Sequence, residues 1–253
     1  MKQDRRNAIV ELINRQQTVK NSELMEKFDI SIETVRRDLE YLERQGYLQR
    51  VYGGAVVKAF LSNEPEYNIR TQENSAEKEV IAKAAARLVE AGDTIFLDLG
   101  TTILSMVQYI KAGGPITAFT NALRTAIALS QIQDCTVILP GGQLRSGELS
   151  LSGFPAEDNL SNFNIHKVFI GAAGISESGI TDFHTAEANL RRQAIRNADQ
   201  VIVLADCSKF GVRAVNNVCS LSDIDIVITD AKTPASFVNQ LEQAGIKVIQ
   251  VKE

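Results

Sequence analysis

The sequence predicts an α/β protein of two unequal modules: a small helical front module closed by a hairpin, and a large body built on a parallel sheet. Three patterns point there. Before about residue 58, apolar residues recur at helical spacing in short stretches, and a glycine-tipped strand pair follows. Beyond Gly92, short continuous apolar runs alternate with helical segments, the mark of strands covered on both faces. Between these, Asn63-Glu64-Pro65-Glu66 breaks the pattern. The expected boundaries are 1–58 for the front module, 59–74 for a linker and 75–253 for the body.

In the first helix Ile9, Leu12 and Ile13 face inward, while Arg5, Arg6 and Arg15 stay polar. The second starts with Asn21 or Ser22 as its cap, has Glu23 at the positive helix end, and turns Leu24 and Phe28 inward. After a tight turn at Asp29-Ile30, Ser31 caps a third helix whose Val35, Leu39 and Leu42 form one stripe, with Gly46 ending it. Thr34 at the third helical position cannot complete a capping box, so only the simple cap is expected. Leu48 to Val57 reads as two strands meeting at Tyr52-Gly53-Gly54.

In the body, a helix capped at Asn74 or Ser75 buries Ile81, Ala85 and Leu88. Strands are expected at 94–97, 116–119, 136–139, 168–170, 201–204, 226–228 and 248–249, with helices at 101–110, 122–129, 186–196 and 234–243. This is a Rossmann-like arrangement of alternating strands and helices.

A composition of 44% hydrophobic and 23% charged residues excludes general disorder. No apolar run reaches transmembrane length, and Met1-Lys2-Gln3-Asp4-Arg5-Arg6 lacks a signal-peptide core. Cys135, Cys207 and Cys219 are odd in number and widely spaced, which fits reduced thiols in the cytoplasm better than a disulfide framework. The net charge of -4 carries no whole-chain basic signature, so any nucleic-acid contact must come from local charge.

The third helix supplies that charge. Glu33, Arg36, Arg37 and Glu40 lie on a stripe rotated away from the apolar one, so one face can pack while the other reads a groove. Arg36 and Arg37 are the candidates for groove contacts; Ser31 and Thr34 lie at the helix start, where the dipole favours phosphate. Asp38 would repel DNA and is expected to pair within the module and orient an arginine. Arg50, Tyr52, Gly53 and Gly54 complete the candidate surface on the hairpin. Two arginines on a helix are by themselves an ordinary solvated face; the helix-turn-helix spacing, the serine cap and the hairpin together favour double-stranded DNA.

These residues resemble the winged helix-turn-helix of DeoR-type bacterial regulators, whose motif joins a serine-capped T-[VI]-R-R-D-L helix to an H/Y-G-G wing turn. Here it falls on Ser31, Thr34-Val35-Arg36-Arg37-Asp38-Leu39 and Tyr52-Gly53-Gly54. Tyr52 stands where histidine is common.

Several strand-end segments of the body carry polar residues suited to an anionic ligand: Asp98, Gly100, Thr101 and Thr102; Thr120 and Asn121; Gly141, Gly142 and Arg145; Glu187; and the Asp206-Cys207-Ser208-Lys209-Phe210-Gly211 loop with Lys209, by itself an ordinary surface lysine. Each alone is ordinary turn or cap material; their recurrence around one sheet makes the case. Residues 75–253 are similar to the DeoR sensor domain, related in fold to ribose-5-phosphate isomerase, glucosamine-6-phosphate deaminase and CoA-transferases. The resemblance implies that these segments surround a phosphorylated metabolite, with Arg191 standing where a lysine is common.

The expectation is therefore an oligomeric DNA-binding regulator, a repressor of a carbohydrate-utilisation operon released by a phosphorylated sugar or related metabolite. No catalytic residue, cofactor, metal or membrane partner is expected. The alternative is a sugar-phosphate isomerase or deaminase with an appended DNA-binding module, in which Asp98, Glu187 and Lys209 would act as acid, base and clamp. A metal sensor is disfavoured because His166 and His184, the two histidines, lack partners at ligand spacing.

Overall fold

The computed structural model describes residues 2–16, 18–44, 47–57 and 64–252. Gly46, the Arg15 side chain and positions 58–63 lie outside the described residues.

The front module runs α1 (Lys2–Gln16), β1 (Thr18–Lys20), α2 (Asn21–Phe28), α3 (Ile32–Arg44), β2 (Leu48–Val51) and β3 (Gly54–Val57). Its core holds Ile9, Ile13, Leu24, Val35, Leu39, Leu42 and Leu48, as the helical spacing requires. β1, which the sequence did not announce, pairs antiparallel with β3 to make a three-stranded sheet in the order β1-β3-β2. The caps differ from expectation at α2: the helix begins at Asn21 itself, with Lys20 as a cap that makes no side-chain bond. The Asn21 amide instead donates to the Gly53 carbonyl at 2.8 Å, tying the helix start to the hairpin tip. Asp29 ends α2 in the left-handed region (φ 48°), which turns the chain into α3.

Position 64 resumes the chain. The interval expected to be patternless contains α4 (Tyr67–Gln72). The body continues with α5 (Ser75–Ala86), β4 (Thr94–Leu97), α6 (Thr101–Val107), β5 (Ile116–Thr120), α7 (Leu123–Leu129) and β6 (Cys135–Ile138). Next come the hairpin β7 (Gln143–Arg145) and β8 (Ser150–Ser152), then α8 (Phe154–Ser161) and β9 (Ile165–Gly171). After these lie β10 (Gly174–Ser176), β11 (Gly179–Asp182), α9 (Thr185–Arg196), β12 (Ala198–Leu204), β13 (Asn216–Cys219), β14 (Ile226–Asp230), α10 (Ala235–Gln243) and β15 (Lys247–Val251). Asn74 precedes α5 with φ 50° and no capping bond; its side chain reaches Asp206 instead.

The main sheet has seven strands in the order β15-β14-β12-β9-β4-β5-β6, with every neighbouring pair parallel. Alternation along the strands sorts the core into two layers. Ile95, Leu97, Phe169, Ile202 and Leu204 pack under α5 and α6; Phe96, Val168, Ile170, Val201 and Val203 pack under α8 and α9. β4 leads outward to β5 and β6 on one side, whereas the later strands run outward from β9 on the other. The β4/β9 boundary is thus a topological switch point, where the loops after the two strands diverge and leave a crevice.

Candidate functional site

The reading surface follows from how α3 is packed. Val35, Asp38, Leu39 and Leu42 are buried while Arg36 and Arg37 are exposed. Asp38 is 1% exposed and accepts hydrogen bonds from Arg5 Nε at 2.7 Å and Arg6 Nε at 2.8 Å, the internal pairing expected of a carboxylate that would repel DNA. Arg6 is correspondingly buried and stacks on the Tyr41 ring at 3.6 Å, so the polar outward face assigned to it does not hold. Ser31 Oγ accepts a long bond from the Thr34 amide (3.4 Å), which fits the simple cap.

The hairpin is built around its glycines. Gly53 has φ +84°, and a Cβ on Gly54 would sit 2.0 Å from the Val19 carbonyl oxygen, so only glycine lets β1 and β3 approach. Tyr52 projects fully into solvent at the tip. Arg50 is less free than expected: its Nε donates to Glu43 Oε2 at 2.7 Å and its amide to Glu43 Oε1 at 2.7 Å, which fastens the hairpin to the end of α3.

In the body, a cleft of about 290 Å³ opens at the β4/β9 switch point. Gly100 lines it from the loop after β4, Thr101 and Thr102 from the start of α6, Gly171 to Ala173 from the end of β9, and Asp206, Ser208 and Lys209 from the segment after β12. Arg70 and Lys78, from α4 and α5, close its other side. Nothing in the local pattern marked those two residues, because they act through the path of the chain over the sheet rather than through a strand-end motif. Lys78 is 6% exposed and its ammonium donates to the Glu73 carbonyl at 2.6 Å and to the Arg70 carbonyl. Burial pushes its pKa down. Lys209 forms no ion pair among the described residues.

Asp98 lies beneath this cleft, fully buried. Its Oδ2 accepts from Arg191 Nε at 2.5 Å, and Arg191 also binds Asp182. Asp98 Oδ2 is therefore occupied by a guanidinium, while its Oδ1 has no hydrogen-bond partner among the described residues. Burial pushes the Asp98 carboxyl up to about 6, against the pull of Arg191.

The remaining expected residues gather elsewhere, around the β7–β8 hairpin. Thr120 and Asn121 are buried, and the Asn121 carbonyl accepts from the Leu151 amide at 2.7 Å. A Cβ on Gly142 would lie 2.5 Å from the Ser152 carbonyl oxygen, so that glycine serves a close backbone approach. Gly141 beside it has φ +82°. Glu187, 1% exposed, accepts from Ser150 Oγ at 2.5 Å and Arg145 at 2.9 Å. Arg145 opens onto a neighbouring cavity with Arg124 and Tyr67. Glu64 borders both cavities, binding Arg145 and lying 3.3 Å from Arg70. Burial outweighs its two guanidinium partners and pushes its pKa up. The expected segments thus form two clusters joined through Glu64, not one ring.

An arginine-faced winged helix joined to a parallel α/β body with a polar switch-point cleft defines a DNA-binding regulator carrying a small-molecule sensing domain. The comparisons agree. Residues 5–59 match the DeoR-like helix-turn-helix domain and residues 73–231 match the DeoR C terminal sensor domain. The chain belongs to the DeoR family of transcriptional regulators. It is 36% identical over 249 residues to the HTH-type transcriptional regulator YulB of Bacillus subtilis (strain 168), covering 98% of this chain and 96% of that one. It is 35% identical over 250 residues to the glycerol-3-phosphate regulon repressor of Escherichia coli (strain K12), covering 98% and 99%. The HTH-type transcriptional repressor GlcR of Bacillus subtilis (strain 168) is 31% identical over 246 residues, covering 97% and 95%. These relatives are regulators, and the enzyme alternative is set aside. Among solved structures, ribose 5-phosphate isomerase A of Methanocaldococcus jannaschii aligns over 55% of each chain at 17% identity, with a TM-score of 0.40. No helix among the described residues is long and apolar enough to cross a membrane.

Proposed function

We propose that the protein represses a carbohydrate-utilisation operon in the cytoplasm, gripping its operator as an oligomer and letting go when a phosphorylated sugar or related metabolite enters the switch-point cleft. The observation that carries this reading is the convergence of Lys209, Lys78 and Arg70 with the Gly100-Thr101-Thr102 backbone on one cleft of metabolite size. Neither Lys209 nor Lys78, whose ammonium is held by backbone carbonyls, forms an ion pair with a carboxylate among the described residues. The names of two relatives, repressors of a glycerol-3-phosphate regulon and of GlcR type, support the same direction. Ser31, Thr34, Arg36, Arg37, Tyr52, Gly53 and Gly54 would face the DNA, with Arg50 bracing the wing. One winged helix offers limited contact area, which favours paired half-sites.

The test is a gel shift with promoter fragments flanking the gene, repeated with a panel of sugar phosphates. Lys209→Ala should bind DNA as tightly as the parent and lose release by the effector. A Lys209→Ala protein that is still released normally would move the anion site elsewhere.

A further inference from the structure

The cleft is not walled by the sensing body alone. Glu43 and Arg44, the last residues of the recognition helix α3, line it as well. The contact continues just past the helix end. Tyr47 donates its hydroxyl hydrogen bond to the Lys232 carbonyl at 3.1 Å, and the Cys207 thiol lies beside that hydroxyl. Burial pushes the Tyr47 hydroxyl's pKa far up, so it remains a donor across the working pH range.

Cys207 belongs to the loop that carries Asp206, Ser208 and Lys209 into the cleft. One side of this loop faces the cleft and the other faces the DNA-reading module. The same loop makes a second connection. Phe210 packs on Phe237 of α10 with ring centroids 5.6 Å apart, and Phe237 packs in turn on the front module's core. The loop is also held in place from below. The Cys207 amide donates to Asp230 at 2.6 Å and the Lys232 amide to the same carboxylate at 2.8 Å. Asp206 accepts from Asn74 at 2.9 Å. A shift of the 206–210 loop therefore moves Tyr47 and Phe237 together.

We infer that the recognition helix is itself a wall of the effector site, and that occupancy is transmitted through the 206–210 loop to Tyr47 and the end of α3. This rests on the cleft being the anion site. An anion entering the cleft meets the Glu43 carboxylate, which holds Arg50 at the base of the wing. It also meets Arg44, whose guanidinium is 74% exposed and engaged by Glu40 at 2.5 Å. Repulsion at Glu43 and attraction at Arg44 both act on the last turn of the helix that reads DNA. The ligand thus has the differential interaction with two arrangements of the front module that a switch requires. Coupling of this kind passes through packed contacts, and the Tyr47 hydroxyl on the Lys232 carbonyl is one of them.

The test is amide hydrogen exchange on the full chain with and without each of inorganic phosphate and a panel of hexose phosphates, read on the 206–211 and 41–48 segments. Tyr47→Phe keeps the ring and removes one hydrogen bond, so the variant should fold. In the parent, the ligand that protects 206–211 should also change exchange across 41–48. In Tyr47→Phe, protection at 206–211 should persist while the response at 41–48 falls, by about fivefold for the lost hydrogen bond. A parent that protects 206–211 with no change at 41–48 overturns the coupling while leaving the anion site intact. A Tyr47→Phe protein that responds at 41–48 as the parent does overturns the assigned route. No response at 206–211 with any probe removes the anion site, and the inference with it.

Discussion

Asp38→Ala isolates what holds the recognition helix in place. The carboxylate is 1% exposed and binds two arginines, whose side chains differ in their access to water: Arg5 is 21% exposed and Arg6 is 9% exposed. Arg5 can turn outward and rehydrate. Arg6, pinned on Tyr41 at 3.6 Å, is left as a buried guanidinium without its counter-charge. Breaking a buried pair by removing one partner costs about 3–5 kcal/mol, and since one arginine can escape the lower end applies, about 3 kcal/mol. A module of this size has a total stability of roughly 3–8 kcal/mol, so the loss is a large share of it. Hydrogen exchange on the full chain measures it where it falls. Amides of α1 and α3 should exchange about 100-fold faster, a factor of ten per 1.4 kcal/mol, while those of β4, β9 and β12 keep their protection. Asp38→Asn, which can still accept one bond, should lose less. An increase below about threefold in Asp38→Ala would show that the arginines do not depend on this carboxylate, and the account of how α3 is oriented would be wrong.

Replacing Arg36 and Arg37 together by alanine should weaken operator binding and flatten its dependence on salt, because fewer counterions are released; an unchanged salt slope in anisotropy titrations would take these side chains off the phosphates or bases. Gly54→Ala should destabilise the front module by about 2 kcal/mol, since its Cβ would meet the Val19 carbonyl oxygen at 2.0 Å, whereas Gly53→Ala should cost about 1 kcal/mol for its φ of +84° alone. Urea unfolding of the two variants should rank them in that order, and the reverse order would remove the close-approach argument. The buried Asp98 makes stability depend on pH. Its folded value of about 6 lies above the unfolded value of about 3.9, so the folded state holds the proton more tightly; the contribution is complete below pH about 3.9 and lost as pH rises through about 6. The melting temperature of Asp98→Asn relative to the parent should therefore rise across that window, and a constant difference would contradict the desolvation argument.

The winged helix was legible because its signals are local. A serine cap, an apolar stripe at helical spacing, an out-turned arginine pair and a glycine tip each act within a few residues, and the structure contains all of them. The long body strands were legible because burial on both faces writes a continuous apolar run. The short pieces β1, β7, β8, β10, β11 and β13 were not, since three or four residues leave no period to read. Asp98, Gly142 and Glu187 were read from the sequence as residues around an anionic ligand. Their neighbours turned out to be Arg191, the Ser152 backbone and Arg145.

The order of residues along the chain thus determined the two modules, the alternation of strands and helices, and which helix faces outward, because each rests on interactions spanning a turn or a strand. The tertiary structure alone decided which strand ends meet. It brought Gly100 and Lys209 to one cleft, sent Arg145 to another, and carried Arg70, Lys78, Glu43 and Arg44 from outside the sheet to the same rim as Gly100. The physical reason is the sheet order: β4 and β9 lie side by side although far apart in the chain, and only that pairing creates a crevice with one loop on each bank.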